Sequence, residues 1–179
     1  MAEVLLSSET LIKSVTNISD NIAGKYILSS LREAQKVGLK GILGERLLGK
    51  LKTLISNGEI DSEQNANYKS LVDKCQYYLA YMTIVELVYK VSYKIGNAGV
   101  VKTADENLQV ATFEEISAQK EYYQGKADYF CMELQNYILE HRTDLPEVND
   151  NDCHKIKSNL YSAATCGIFL GGARGKKRR

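Results

Sequence analysis

The stretch NANYKSLVDKCQYYLAYMTIVELVYKVSYKI, residues 65–95, is the strongest indication of the fold, because it predicts one long helix. Its apolar and aromatic side chains, from Leu71 to Tyr93, recur on almost every bearing of a helix, whereas a surface helix keeps one polar side. A helix that is apolar all round must be covered all round. In a chain of 179 residues we expect two kinds of cover, the other helices of the same subunit and a neighbouring subunit.

Shorter amphipathic helices are predicted before this central helix. A first helix begins at Ser7 or Ser8 and runs to about Val15, and a second is capped near Asp20 and carries its apolar residues as far as Ala34. Both have one apolar stripe, so both are expected to pack against the central helix.

A third helix is predicted to be entered through Gly44 and to stop at Asn57-Gly58, where glycine supplies a left-handed residue. After the central helix, residues 100–111 indicate an extended arm that reaches an adjacent subunit or ring. A capping box that starts at Thr112 then opens a last helix of about thirty residues. The sequence therefore predicts an all-α helical bundle with one long central helix, this loop arm, and an extended C-terminal tail. Residues 1–160 would form one domain and residues 161–179 the tail.

Charge is unevenly distributed along the chain. The net charge is +1, but residues 1–173 carry 18 basic and 22 acidic side chains, so this part has a net charge of −4. The remaining basic residues lie in the last six positions and include the terminal run KKRR. A mildly acidic body argues against a protein that grips nucleic acid strongly. The basic end leaves open a nucleic-acid-binding helical protein as the alternative function.

Residues that could support catalysis are sparse. His141 ends an apolar stripe, where compensation of helix C-terminal charge is the simpler role, and it has no evident nucleophile beside it. Cys153, His154 and Cys166 match no usual zinc spacing and lack a fourth ligand. We therefore expect no catalytic residue, no cofactor, no metal site and no enzymatic activity.

Targeting signals are also not evident. The N-terminus has no basic region ahead of an apolar run, and the four cysteines have no regular spacing. The expectation is a cytosolic product with reduced thiols and no membrane association.

Tyrosine is over-represented: the chain has twelve tyrosines, three phenylalanines and no tryptophan. So many hydroxyl groups exceed what one small dry core can satisfy, and tyrosine is favoured at protein interfaces. Candidate subunit-interface residues are Tyr77, Tyr81, Tyr89, Tyr93 and Tyr122.

Several short motifs, in order, resemble one protein family. Residues 29–35 (SSLREAQ) followed by 41–51 (GILGERLLGKL), then 94–100 (KIGNAGV) and 167–172 (GIFLGG), are similar to the motifs of phage head-tail connectors. The similarity is to the portal adaptor proteins of tailed bacteriophages of the crAss-like and Bacteroidetes type. Their order and spacing carry the resemblance, because each motif alone is common in helical proteins. Leu48 departs from it, since the family commonly has tyrosine there.

The resemblance implies a structural virion protein at the head-tail junction. Such subunits assemble into a ring, expected to be a dodecamer, beneath the portal protein and above adjacent tail or collar rings. Duplex DNA passes through the lumen during ejection without specific binding, and a neutral or acidic lumen would not retain it.

The end of the chain is expected to dock on the portal. An apolar anchor precedes the basic run, and electrostatic attraction to DNA alone would not need that anchor. The predicted docking residues are Ile168, Phe169, Leu170, Arg174, Lys176, Lys177, Arg178 and Arg179.

Overall fold

The computed structural model describes residues 3–96, 99–102 and 111–148. Five α-helices account for most of this part: α1 (Glu9–Val15), α2 (Gly24–Glu33), α3 (Lys40–Ser56), α4 (Ala66–Ser92) and α5 (Phe113–Glu140). A π-helical segment, Ala34–Leu39, joins α2 to α3, and a 3₁₀ turn, Glu63–Asn65, precedes α4. The predicted all-α bundle with one long central helix is confirmed.

Helix α4 is the centre of the bundle. It packs along α5 and also contacts α1, α2 and the π segment. Its buried side chains point in all directions, as Leu71, Val72, Leu79 and Ile84 illustrate. The uniform apolar pattern of residues 65–95 is therefore explained largely by cover from other helices of the same subunit.

The beginnings of the first two helices differ in how they are capped. The Ser8 hydroxyl accepts a hydrogen bond from Leu11 N at 3.2 Å, which confirms the predicted start of α1. The prediction that α2 is capped near Asp20 is wrong, because α2 begins at Gly24 and Ala23 provides no side-chain cap. Here Ser19 Oγ accepts from Asn21 N at 3.3 Å, a local turn that competes with helix.

Helix α3 starts earlier than predicted and is bent. It continues from the π segment, and Gly44 (φ 76°, ψ 170°) interrupts its helical geometry where the sequence placed the helix start. A side chain is disfavoured at that φ, so glycine is needed at the bend. At the other end, the helix stops at Asn57 and Gly58 (φ 70°) as predicted.

The buried side chain of Gln35 fixes the N-terminal segment to the π segment. Its amide oxygen accepts from Leu6 N at 2.8 Å, and its amide nitrogen donates to Val4 O at 2.9 Å. Both polar ends are therefore paired, which is what a buried amide requires.

Residues after α4 form a two-stranded hairpin that the sequence reading missed. Strand β1 (Tyr93–Gly96) pairs antiparallel with β2 (Gly99–Lys102), with Ile95 opposite Val100. Residues 100–102 of the predicted arm are extended as strand β2 and pair with β1, and β-branched valines favour a strand. Residues 103–110 lie outside the described part, and their reach to a neighbour stays a prediction.

The start of α5 is the predicted capping box. Thr112 Oγ1 accepts from Glu115 N at 3.2 Å, and the Glu115 carboxylate accepts from Thr112 N at 2.7 Å. Within the described ranges, no helix is long and apolar enough to cross a membrane. The boundary predicted between residues 160 and 161 lies outside the described residues, as does the tail that follows it.

Candidate subunit interface

A row of stacked aromatic rings joins α4 to α5. The Phe130 ring lies between Tyr77 and Tyr81, at centroid distances of 5.5 Å and 5.3 Å, and Tyr81 also meets Tyr123 at 6.5 Å. Parallel ring pairs at these distances add stabilisation beyond the area that they bury. Part of the tyrosine excess therefore holds the subunit together.

The five predicted interface tyrosines do not share one environment. Tyr77 and Tyr122 are exposed, at 48% and 59% of their surface. Tyr81, Tyr89 and Tyr93 are partly buried. Lys120 Nζ lies 4.8 Å from the centroid of the Tyr89 ring. Of the five, Tyr77 and Tyr122 present most ring surface to a partner, and an interface role stays a prediction for all of them.

The outward side of α5 carries a second apolar stripe, which we call the outer seam. Its members are spaced alternately by four and three residues, all are exposed, and they are Ala118, Tyr122, Gly125, Tyr129, Met132 and Asn136. Tyr129 is 57% and Met132 is 47% exposed. This 4-3 spacing is that of a coiled-coil contact line, and it fits another packed element lying along α5.

The interface residues predicted from the sequence did not include Tyr129, Met132 and Gly125, which are exposed on the outer seam. The signal was present, since the 4-3 spacing is readable in the sequence. The other stripe of α5 has similar spacing, includes Ile116, Tyr123 and Leu134, and faces the core. The sequence does not show which of the two stripes a neighbouring helix covers.

Acidic side chains border the outer seam. Helix α5 carries six acidic and two basic residues, a net charge of −4. Glu121, Asp128 and Glu133 make no ion pair within the part of the chain described by the structure. The Tyr129 hydroxyl donates to Glu133 at 3.3 Å, and Lys126 Nζ lies 5.7 Å from the Tyr122 ring centroid. The seam is therefore an aromatic strip with a negative border.

The remaining candidate groups show no activation for chemistry. Burial raises the pKa of the Cys75 thiol, and it raises that of Cys131 to about 11, so both thiols stay protonated at neutral pH. His141 is the C-cap of α5, with Nδ1 3.1 Å from Tyr137 O and its ring stacked on the Tyr137 ring. Among residues 3–96, 99–102 and 111–148, no cluster of three metal-binding side chains occurs.

The predicted portal-docking residues, from Ile168 to Arg179, lie outside the described residues, as do Cys153, His154 and Cys166. Their roles stay predictions.

A protein-family model matches residues 39–158, which is 120 of the 179 residues. The chain belongs to DUF6712, a family of unknown function. The DUF6712 match spans α3, α4, the hairpin and α5, so it includes the whole outer seam. No curated protein and no solved structure matches the chain.

Proposed function

We propose that this DUF6712 protein is a structural virion protein, a head-tail connector subunit that forms an adaptor ring between the portal and the tail. The observation that carries the proposal is the outer seam, whose rings at Tyr122 and Tyr129 are more than half exposed. Exposed aromatic strips with a polar border are typical of protein interfaces. A subunit built to be covered by neighbours accounts for such a strip better than a monomer does.

The positions that carry the family resemblance also support the proposal. In the Ala34-Gln35 pair both residues are buried, and Gln35 holds the N-terminal segment. In the second motif Leu43 and Leu47 are buried, and Gly44 makes the bend of α3. These two motifs therefore coincide with positions that this fold needs, which favours a shared architecture over chance similarity of short helical patterns.

The function of such a ring is geometric. The subunit catalyses no reaction; it seals one ring against the next and lets duplex DNA pass. The net charge of −4 over residues 1–173 suits this role, because a strongly basic lumen would release counterions on contact and retain the DNA. We expect each subunit to bury well over about 1,000 Å² against its neighbours, the range of stable specific interfaces.

Contact with the portal is assigned to the C-terminal residues. Ile168, Phe169 and Leu170 would fill an apolar groove on the portal, and the basic run beginning at Arg174 would meet acidic side chains or helix C-termini. An apolar anchor ahead of the charges favours a protein partner over DNA.

Electron microscopy of the chain mixed with the cognate portal protein tests the proposal. Rings stacked on the portal are expected, and Phe169→Ala should weaken this binding about as much as deletion of residues 174–179. A portal that binds no ring would refute the connector assignment. If the deletion removes affinity for duplex DNA and leaves portal binding unchanged, the nucleic-acid-binding alternative is the better one.

A further inference from the structure

A groove between the π segment and α3 has the opposite charge to the outer seam. Its volume is about 430 Å³, and it is lined by Gln35, Lys36, Lys40, Glu45, Leu48, Gly49 and Lys52. Its lining residues include three lysines and one glutamate, a net charge of +2, whereas α5 has a net charge of −4.

Some of this positive charge is available to a partner. Lys40 pairs with Glu45 and Lys36 with Glu3, each at 3.3 Å and in exposed positions where water weakens the attraction. Lys52 makes no ion pair within residues 3–96, 99–102 and 111–148. An acidic helix could therefore meet one lysine without an ion pair and two lysines whose ion pairs are weakened by water.

The π segment and α3 also present an exposed apolar side chain and an open backbone position. Val37, on the π segment, is 76% exposed, the largest exposure among the large hydrophobic residues of the described part. A Cβ atom added at Gly49 would meet nothing within 4 Å, so the backbone of α3 is open to close approach there.

Gly125 shows the same openness on the outer seam. A Cβ atom added there also meets nothing within 4 Å, so no neighbour in the described part of the subunit requires glycine at this position. Glycine in the middle of an exposed helix costs about 1 kcal/mol relative to alanine. A closely approaching backbone from another molecule would account for it.

We propose that the outer seam of α5 in one subunit docks in the groove between the π segment and α3 of a second copy. The inference rests on the proposed ring function and names the subunit contact within that ring. The seam and the groove are different surfaces of one chain, and α5 packs mainly on α4. The contact is therefore head-to-tail, and such a contact repeats from copy to copy and forms a ring when the rotation between copies closes.

The test uses two charge-reversed variants of the full chain. Glu121→Lys/Glu133→Lys blocks the seam, and Lys36→Glu/Lys52→Glu blocks the groove. Glu59→Lys/Glu63→Lys is the matched control for the seam variant, since both residues are exposed in the connection between α3 and α4 and the change in net charge is the same. Circular dichroism checks that each variant folds.

Native mass spectrometry at about 100 µM chain and about 50 mM salt then measures the assembly state. The wild type and the control should form large oligomers, and each blocked variant should lose at least about tenfold in association constant, because like charges then face each other. An equimolar mixture of the two blocked variants should form large oligomers again, since an intact seam meets an intact groove and the reversed seam meets the reversed groove with opposite charges. An interface that pairs the same surface on both copies does not produce this result.

Three results would overturn the inference: a monomeric wild type, a blocked variant that assembles as the wild type does, or a mixture that stays monomeric. A fourth result would also overturn the inference: assembly that is lost when residues 174–179 are deleted but is kept in Lys36→Glu/Lys52→Glu. That result would mean that the C-terminal tail, and not the groove, binds the outer seam. In each case, wild-type rings observed on the portal would still support the connector function, and only the proposed subunit contact would be refuted. Recovered assembly in the mixture with no binding to the portal would support the subunit contact and refute the connector function.

Discussion

Replacing Gly125 by alanine should make the subunit more stable and the assembly weaker. The new methyl group enters open space, so the stability change is the difference in helix propensity, about 1 kcal/mol in favour of alanine. For a chain of this size that corresponds to a rise of roughly 2–4 °C in Tm. Between two closely packed helices the same methyl group is an overpacking change that costs about 1–3 kcal/mol. The association constant should therefore fall about tenfold.

Urea denaturation of the dilute monomer and native mass spectrometry of the concentrated chain measure the two effects separately. Gly41→Ala is the matched control, because Gly41 is also helical with open space at its Cβ position and does not line the groove. It should stabilise the subunit similarly and leave assembly unchanged. Loss of monomer stability in Gly125→Ala would contradict the structure of α5, and unchanged assembly would contradict the close approach at the outer seam.

Three further predictions concern the subunit itself. In Gly38→Ala the new methyl group overlaps the Tyr78 hydroxyl, so a net loss of about 1 kcal/mol is expected in urea denaturation, and the second change Tyr78→Phe should relieve it; equal losses in both backgrounds would refute this contact. Ion pairs with Arg32 and Lys36 hold the pKa of the Glu3 carboxyl below its usual value of 4.5, so its stabilising effect is present above pH 4.5 and is lost as the pH falls through the lower folded-state pKa. The difference in Tm between the wild type and Glu3→Gln should therefore shrink from pH 7 to pH 3, and a constant difference would show that the ion pairs do not act. Burial raises the pKa of Cys131 to about 11, so peptide mapping should show slow alkylation of this thiol at pH 8 and faster reaction as the pH approaches 11, whereas fast alkylation at pH 8 would contradict its burial.

Features set by neighbouring residues could be predicted from the sequence. The Ser8 cap, the capping box at Thr112 and the stop at Gly58 each depend on a few adjacent positions, and the structure has all three. The start of α2 could not be predicted in this way. Asp20 is an acceptable N-cap, but a turn through the Ser19 hydroxyl takes its place.

Long-range packing changed the interpretation of α3 and of the segment after α4. Gly44 was predicted to be a helix start, and its φ of 76° does break the helical geometry there. Helical residues also precede it, since the π segment packs on α4 and leads directly into Lys40. The hairpin at residues 93–102 depends on pairing between two strands, and neither strand has a strong pattern alone.

One long central helix could be predicted from the amino-acid pattern alone, because a helix apolar on every side is stable only when it is covered on every side. The sequence also shows that tyrosine is in excess. Which tyrosines pack within the subunit is evident only from the packing of the helices. Tyr81 stacks on Phe130 within the subunit, while Tyr122 and Tyr129 face outward. The physical reason is that α5 has two stripes of similar spacing, and which one is buried depends on the helix that packs against it. That helix is α4, the preceding helix of the chain, and the face of α5 that it meets is fixed by the summed packing of the whole bundle.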